Sequence, residues 1–314
     1  MSSTAIGRRG LAAAVAMLGL SAPALAAQRQ RSVTLIVGAS AGSPADRVGR
    51  SVVPFLARHW QRVSVVVENL PGNGGMETAR RVAEAEGQSV LGLVSTPGLI
   101  ARCIQSAEPA LPDQLLWLGP IAEEAMLLAA RADQGAATLV SARGTSERLI
   151  GCGPAGSASH LATLQLTEAI ASCRALPFAS PVAAARAAST GHVAAAMLSA
   201  PELRRAATPG LVPIATATAS RLPDTPSVPT LSERGIPLVA GVQRGLVAPP
   251  GFAGAARLAA ALRAMRADPE FQDWAQEAGA RPGTGEPGEW LRTLSAERAA
   301  LSARWARAPW ISAG

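Results

Sequence analysis

Short apolar runs recur along this chain at 33–37, 63–67, 89–94, 126–130, 148–152, 175–178, 193–198 and 211–215. Between them lie stretches with helical spacing: 44–60, 76–86, one opening at Thr96-Pro97, 158–172 and one after Ser180-Pro181. Runs this short between helices read as buried parallel strands. Their alternation with helices predicts an α/β protein with right-handed crossovers. A Pro-rich loop follows at 222–229, and beyond Gly251 the pattern is helical to the end. Asp268-Pro269 marks one helix start there and Gly279 its stop.

The junctions carry the chemistry. Ser43-Pro44, Thr96-Pro97 and Ser180-Pro181 each follow a strand directly. Ser or Thr caps free helix amides, and Pro fits the first turn because it lacks an N–H. Gly-rich turns sit at 38–43, 71–75 and 153–157. Strand C-termini in such sheets share one edge, and helix N-termini there offer unpaired N–H groups with partial positive charge. Gly-rich loops in both halves therefore predict a ligand cleft suited to a carboxylate or phosphate.

The N-terminus bears on where the chain works. Arg8-Arg9, an apolar run at 11–20 and Ala24-Leu25-Ala26 make a basic region, a short hydrophobic region and a small-residue cleavage site. The run is too short to span a bilayer. The expectation is export by the Sec or twin-arginine route and cleavage after Ala26, leaving about 288 of the 314 residues. The net charge of +7 comes wholly from Arg, for there is no Lys. The Arg residues are scattered and lack aromatic interleaving, which argues against a nucleic-acid surface. His59, His160 and His192 lack metal-ligand spacing. Cys103, Cys152 and Cys173 leave at least one thiol free, and Cys152 and Cys173 can pair only if neighbouring strands bring them together.

The run 33–50, with Gly38-Ala-Ser-Ala-Gly-Ser-Pro-Ala-Asp46, resembles the first loop of the Bug family, the substrate-binding (TctC-like) proteins of tripartite tricarboxylate transporters. Val65-Val-Val-Glu-Asn-Leu-Pro-Gly-Asn-Gly-Gly75 looks like the second loop of that family. Ser159-His160-Leu161-Ala162, Pro177-Phe178, Gly191-His-Val193, 222–230 and 245–251 fit in order. The resemblance covers the whole exported chain. It implies a periplasmic-binding-protein fold of type II, with two Rossmann-like domains flanking a ligand cleft. It further implies a discontinuous first domain, 28–125 with 243–314, and a second at 126–242.

On this resemblance and the loop pattern, the candidate ligand contacts are Ser40, Gly42, Ser43, Asp46, Gly72, Asn73, Gly74, Thr96, Pro154, Ala155, Ser157, His160, Phe178, Ala179 and Arg244. The expected function is capture of a small organic acid by a monomeric periplasmic protein, without cofactor or metal, and delivery to transporter membrane subunits. A sensor component that presents its ligand to a membrane kinase is the alternative. Departures from the family pattern concern the ligand: Ala39 replaces an aromatic, Ala179 a Lys, Ala194 an Asp, and Gln243-Arg244 a Trp-Phe pair. Arg244 is expected to offer a forked donor to a carboxylate. A periplasmic hydrolase is disfavoured: Ser157 and His160 sit three apart, but no G-x-S-x-G elbow is present and Ser157 reads as a helix cap.

Overall fold

The computed structural model describes residues 31–87, 89–134 and 147–311. The expected leader at 1–26 lies outside the described residues. The strands are β1 (Arg31–Val37), β2 (Val63–Asn69), β3 (Val90–Thr96), β4 (Leu116–Arg131), β5 (Arg148–Cys152), β6 (Cys173–Pro177), β7 (Ala195–Ser199), β8 (Leu211–Thr216), β9 (Gly241–Ala248) and β10 (Arg281–Pro282). The helices are α1 (Pro44–His59), α2 (Met76–Ala83), α3 (Gly98–Gln105), α4 (Ala158–Ala169), α5 (Pro181–Ser189), α6 (Ala200–Ala206), α7 (Ala255–Ala267), α8 (Pro269–Glu277) and α9 (Pro287–Arg307).

The strands form one path, β2-β1-β3-β9-β4-β7-β5-β6, with β8 and β10 also paired to β4. β1 runs parallel to β2 and β3, and β5 runs parallel to β6 and β7. The long strand β4 links these groups. Leu116 to Ala125 pair antiparallel with β9, and from Met126 the same strand pairs with β7 and β8. Its 16 residues, with register shifts at 117–119, 120–122 and 128–129, run through both groups.

Alternation buries what the apolar runs supply. Val33, Leu35 and Val37 on β1 pack with Val48, Val52 and Leu56 of α1 and Leu258, Leu262 and Met265 of α7. The opposite layer holds Met76, Leu99, Trp117, Trp290 and Leu294. In the second group Met126, Leu128, Ile150, Leu166 and Met197 form the core. Truncating a fully buried leucine such as Leu56 to Ala costs about 2–5 kcal/mol in such a core.

Several expectations are corrected. The strand expected at 126–130 begins ten residues earlier, at Leu116. The tail is not wholly helical, because β10 pairs with β4. Residues 200–206 form a short helix that the pattern did not announce. Thr96 does not cap α3: it pairs with Gln243 as the last residue of β3, and the cap residue is Pro97, without a side-chain bond. Cys152 and Cys173 do lie on neighbouring strands, but all three cysteines are free. The register sets Cys173 beside Arg148 and Cys152 beside Pro177. That four-residue stagger separates the two by roughly 13 Å, beyond the reach of a disulfide.

Candidate functional site

The loop after β1 is fixed by Asp46. Ser43 caps α1 by accepting from the Asp46 N–H at 3.2 Å. The buried Asp46 carboxylate accepts from the Gly42 N–H at 2.8 Å, Arg50 Nε at 2.9 Å and Asn69 Nδ2 at 2.9 Å. Asn69 also donates to the Ala39 carbonyl at 3.0 Å. The Gly42 amide, with Asn69 and Arg50, holds this carboxyl below its usual range against the opposing cost of burial. Asp46 thus spends its acceptors on tying the first loop to the end of β2. Ser40 and Gly42 remain exposed on that loop.

The second loop needs left-handed backbone at successive residues: φ is 44° at Asn73, 63° at Gly74 and 97° at Gly75. Only glycine enters that region without steric cost. Asn73 donates to Glu77 at 2.9 Å. A side chain at Gly72 would collide with Glu77. At Gly74 a Cβ would lie 3.5 Å from Arg102 Nε, so this turn sits against a guanidinium on α3.

From the second strand group, the loop after β5 reaches the same place. Arg102 Nη2 donates to the Ala155 carbonyl at 3.3 Å. A Cβ on Gly98 would lie 3.9 Å from the Gly156 carbonyl oxygen. Ser157 caps α4, accepting from the His160 N–H at 3.3 Å, and the Ser159 hydroxyl accepts from the Gly153 N–H at 2.9 Å. His160 is buried, and its Nδ1 accepts from the Gly156 N–H at 3.1 Å. This bond leaves the ring proton on Nε2. Burial, with the Arg304 charge second, lowers its pKa to about 4, so the ring is neutral near pH 7. Thr96 is buried at the end of β3, and the Pro154 carbonyl accepts from the Ser157 N–H at 2.9 Å. The fourth loop is separate in character: the Phe178 ring packs on Gly151 and the Ala184 cluster, and Ala179 is exposed.

Arg244 does not present a free fork. It is 8% exposed; its Nε donates to Glu124 Oε1 at 2.5 Å and its Nη1 to Ser95 Oγ at 2.6 Å. Among the described residues Glu124 Oε2 has no partner. Nearby, Glu202 accepts from the Ser199 N–H at 2.8 Å; burial, then the Glu124 charge, raise its pKa. A cavity of about 510 Å³ opens here between α1, α6 and α8, bordered by Arg47, Ser51, Glu124, Pro201, Arg205 and Trp274 among others. Sequence reading missed Arg102, Glu124 and Ser95. The only signal for Arg102 was its place one turn into a helix that follows a strand. Nothing local pairs Glu124 with a residue 120 positions away.

Glycine-rich loops from the two strand groups thus meet at Arg102. A family model described as the tripartite tricarboxylate transporter family receptor, TctC, matches residues 54–302. The chain belongs to this family. No curated protein matches the chain. Solved structures share its fold. A TctC solute-binding protein from Polaromonas has TM-score 0.75 and 22% identity, covering 88% of this chain and 98% of its own. The periplasmic binding protein BugD has TM-score 0.72 and 23% identity, with 88% and 97% covered. MatC from Rhodopseudomonas palustris, solved with bound malate, has TM-score 0.69 and 24% identity, with 87% and 98% covered.

Within this TctC receptor the hydrolase idea meets a geometric obstacle. Ser157 Oγ is engaged by the His160 backbone amide, and the imidazole Nδ1 by Gly156. Among the described residues no hydrogen bond joins the two side chains, and a general base must reach the proton it abstracts. Cys152 is buried beneath Thr163, and burial pushes its thiol up to about 12, which suppresses the thiolate. Among the described residues, no group of three His, Cys, Asp or Glu could hold a metal, and no helix is long and apolar enough to cross a membrane.

Proposed function

We propose that this receptor captures a small carboxylate in a cleft between two α/β domains, residues 28–125 with 243–314 and residues 126–242, and delivers it to the membrane subunits of a tripartite transporter. One observation carries the reading. Arg102 stands where the turn at Gly74 and the loop at Ala155 and Gly156 converge. Backbone N–H groups at helix N-termini and one guanidinium suit an anion of one or two carboxylates. The malate held by MatC supports that class of ligand.

On this reading Ser40, Gly42, Ser43, Gly72, Asn73, Gly74, Thr96, Pro154, Ala155 and Ser157 shape the cleft and permit close approach; the N–H groups of Gly42, Ser43 and Ser157 are already bonded within the loops and Pro154 has none. Asp46 and His160 hold the loops in shape, and Phe178 packs behind them. The protein acts as a carrier rather than an enzyme, as a monomer, in the periplasm, after removal of residues 1–26. The test is a thermal-shift and calorimetric screen of mono- and dicarboxylates on the exported protein. Binding to the folded state raises Tm by mass action. Arg102→Ala should weaken the best ligand by about 1.5–3 kcal/mol, the worth of a hydrogen bond to a charged group. A screen with no shift for any acid would refute the reading.

A further inference from the structure

Helix α4 of the second strand group packs against α3 and α9 of the first, and His160 is buried beside that contact. Leu161 and Leu164 of α4 enter the same apolar cluster as Leu99 of α3, Leu301 and Trp305 of α9, and Trp310 and Ile311 beyond it. The turn before α4 fits against the same surface. A Cβ on Gly156 would stand 3.4 Å from Gln105 Oε1 and 3.5 Å from Trp310 Nε1. Arg304 of α9 pairs with Glu168 of α4 at 2.7 Å. The contact is nevertheless incompletely bonded. Among the described residues Gln105 Oε1, Arg304 Nε and Trp310 Nε1 are buried with no hydrogen-bond partner. Each such group is destabilising while buried and regains its hydrogen bonds when water reaches it. Apolar burial therefore holds the contact while polar desolvation opposes it, and a modest added repulsion is enough to part it.

His160 is placed to supply that repulsion. Its Nδ1 accepts from the Gly156 N–H at 3.1 Å, so the ring holds the turn that meets Gln105 and Trp310. An imidazolium has a donor at each nitrogen and no acceptor. Protonation would set Nδ1–H against the Gly156 N–H and displace that turn. The new charge would also face Arg304, whose charge opposes protonation second only to burial. The other charged groups on the packed elements are few. Arg102 on α3 bonds the Ala155 carbonyl, and Arg307 on α9 pairs with Glu168 on α4 itself. Glu297 lies two turns before Arg304 on α9, and burial pushes its carboxyl up to about 7. We propose that His160 is a proton-operated release: protonation of its ring breaks the Gly156 turn away from Gln105 and Trp310, and the two strand groups part. The opening requires no particular ligand and goes beyond the carboxylate reading. The ring titrates at about 4 in the closed contact against 6.5 in water, so the open form takes up the proton first. Between those values each unit of falling pH should lower the closed-to-open ratio by up to about tenfold.

The test is small-angle X-ray scattering of the ligand-free protein from about pH 7.5 to about pH 4, with far-UV circular dichroism at each point. The wild-type radius of gyration should rise in one step between pH 6.5 and about 4 while the dichroism stays constant. His160→Asn, whose amide oxygen still accepts the Gly156 N–H, should abolish the step. Glu297→Gln should leave it in place. Ring NMR of the three histidines in the wild type serves if the Asn variant misfolds: one ring must titrate together with the expansion. No expansion, or expansion only with loss of dichroism, overturns the proposal. Expansion that persists in His160→Asn, or that Glu297→Gln removes, assigns the switch to another group and overturns it too. So does expansion during which no histidine ring titrates. None of these outcomes bears on the carboxylate reading, which the ligand screen tests separately.

Discussion

Removing Arg244 should destabilise this protein more than it alters any surface property. The guanidinium and carboxylate are 10% and 1% exposed, so water screens neither. At an effective dielectric near 20, charges about 4 Å apart attract by about 4 kcal/mol. Breaking a buried pair from one side costs about 3–5 kcal/mol, because the remaining charge loses its partner. Arg244→Ala is the harsher change, since Glu124 already carries one unpaired oxygen and would then have none paired. Glu124→Gln should cost less, because Arg244 keeps Ser95 and the amide oxygen remains an acceptor. The double change Arg244→Met with Glu124→Leu should recover most of the loss, as apolar replacements of buried pairs often do.

Urea unfolding followed by tryptophan fluorescence measures each term, with unchanged m-values as the check that the same unfolding is being compared. The expected result is a loss of about 3–5 kcal/mol for Arg244→Ala and a coupling energy above about 2 kcal/mol in the cycle of Arg244→Met, Glu124→Leu and the two together. A loss under about 1 kcal/mol, or strict additivity of the two sites, would show that the pair is hydrated and that the burial argument fails.

Three further outcomes follow from the same contacts. His160 has its pKa lowered to about 4 from 6.5. The unfolded chain therefore binds a proton first as pH falls, and stability should drop between about pH 6.5 and 4, by on the order of 3 kcal/mol at about 1.4 kcal/mol per unit. His160→Gln should flatten that window, and an unchanged slope would refute a buried neutral ring. Asp46 is also shifted downward, in a more acidic range: its lowered pKa gives stability that is complete above the unfolded value of 3.8 and lost as pH falls through the folded value. Asp46→Asn should remove only this more acidic loss, read by circular dichroism below pH 4. The thiols should be silent to a thiol reagent in the native protein and count three in denaturant, for all are free and buried; a count of one would mean a disulfide has formed.

Local features were legible and distant partnerships were not. Ser43, Ser157, Ser180 and Asp268 cap helices where the sequence put them, because a cap bonds amides only two or three residues ahead. Strands β1, β2 and β5 were legible because each is one apolar run between polar turns. The first half of β4 was not: Gly119, Pro120, Glu123 and Glu124 break the run. Each acid there is answered from far along the chain. Glu123 accepts from Thr284 Oγ1 at 2.9 Å and Gln243 at 3.3 Å, and Glu124 from Arg244. The candidate list was read from loops, so it gathered the glycines and caps. It missed Arg102, which faces those loops from a helix, and it gave Arg244 a freedom that Glu124 removes.

The distribution of charge around the loops has a consequence for how a receptor of this kind can release its cargo. The chain carries 29 Arg, but those nearest the loops are largely committed to the protein itself. Arg50 serves Asp46, Arg204 the carbonyls that end α8, and Arg244 Glu124. Among the described residues Arg102 makes one bond, 3.3 Å to a carbonyl, which on the proposed reading a ligand replaces. On the proposed reading, most of the remaining recognition comes from main-chain amides, whose partial charges bind an anion less tightly than a desolvated ion pair. Those donors are fixed by glycine backbones and by Asp46 before any ligand arrives, so little ordering cost falls on binding. A site preorganised in geometry and modest in charge gains specificity from shape, and it holds an acid firmly only while the two strand groups stay closed around it.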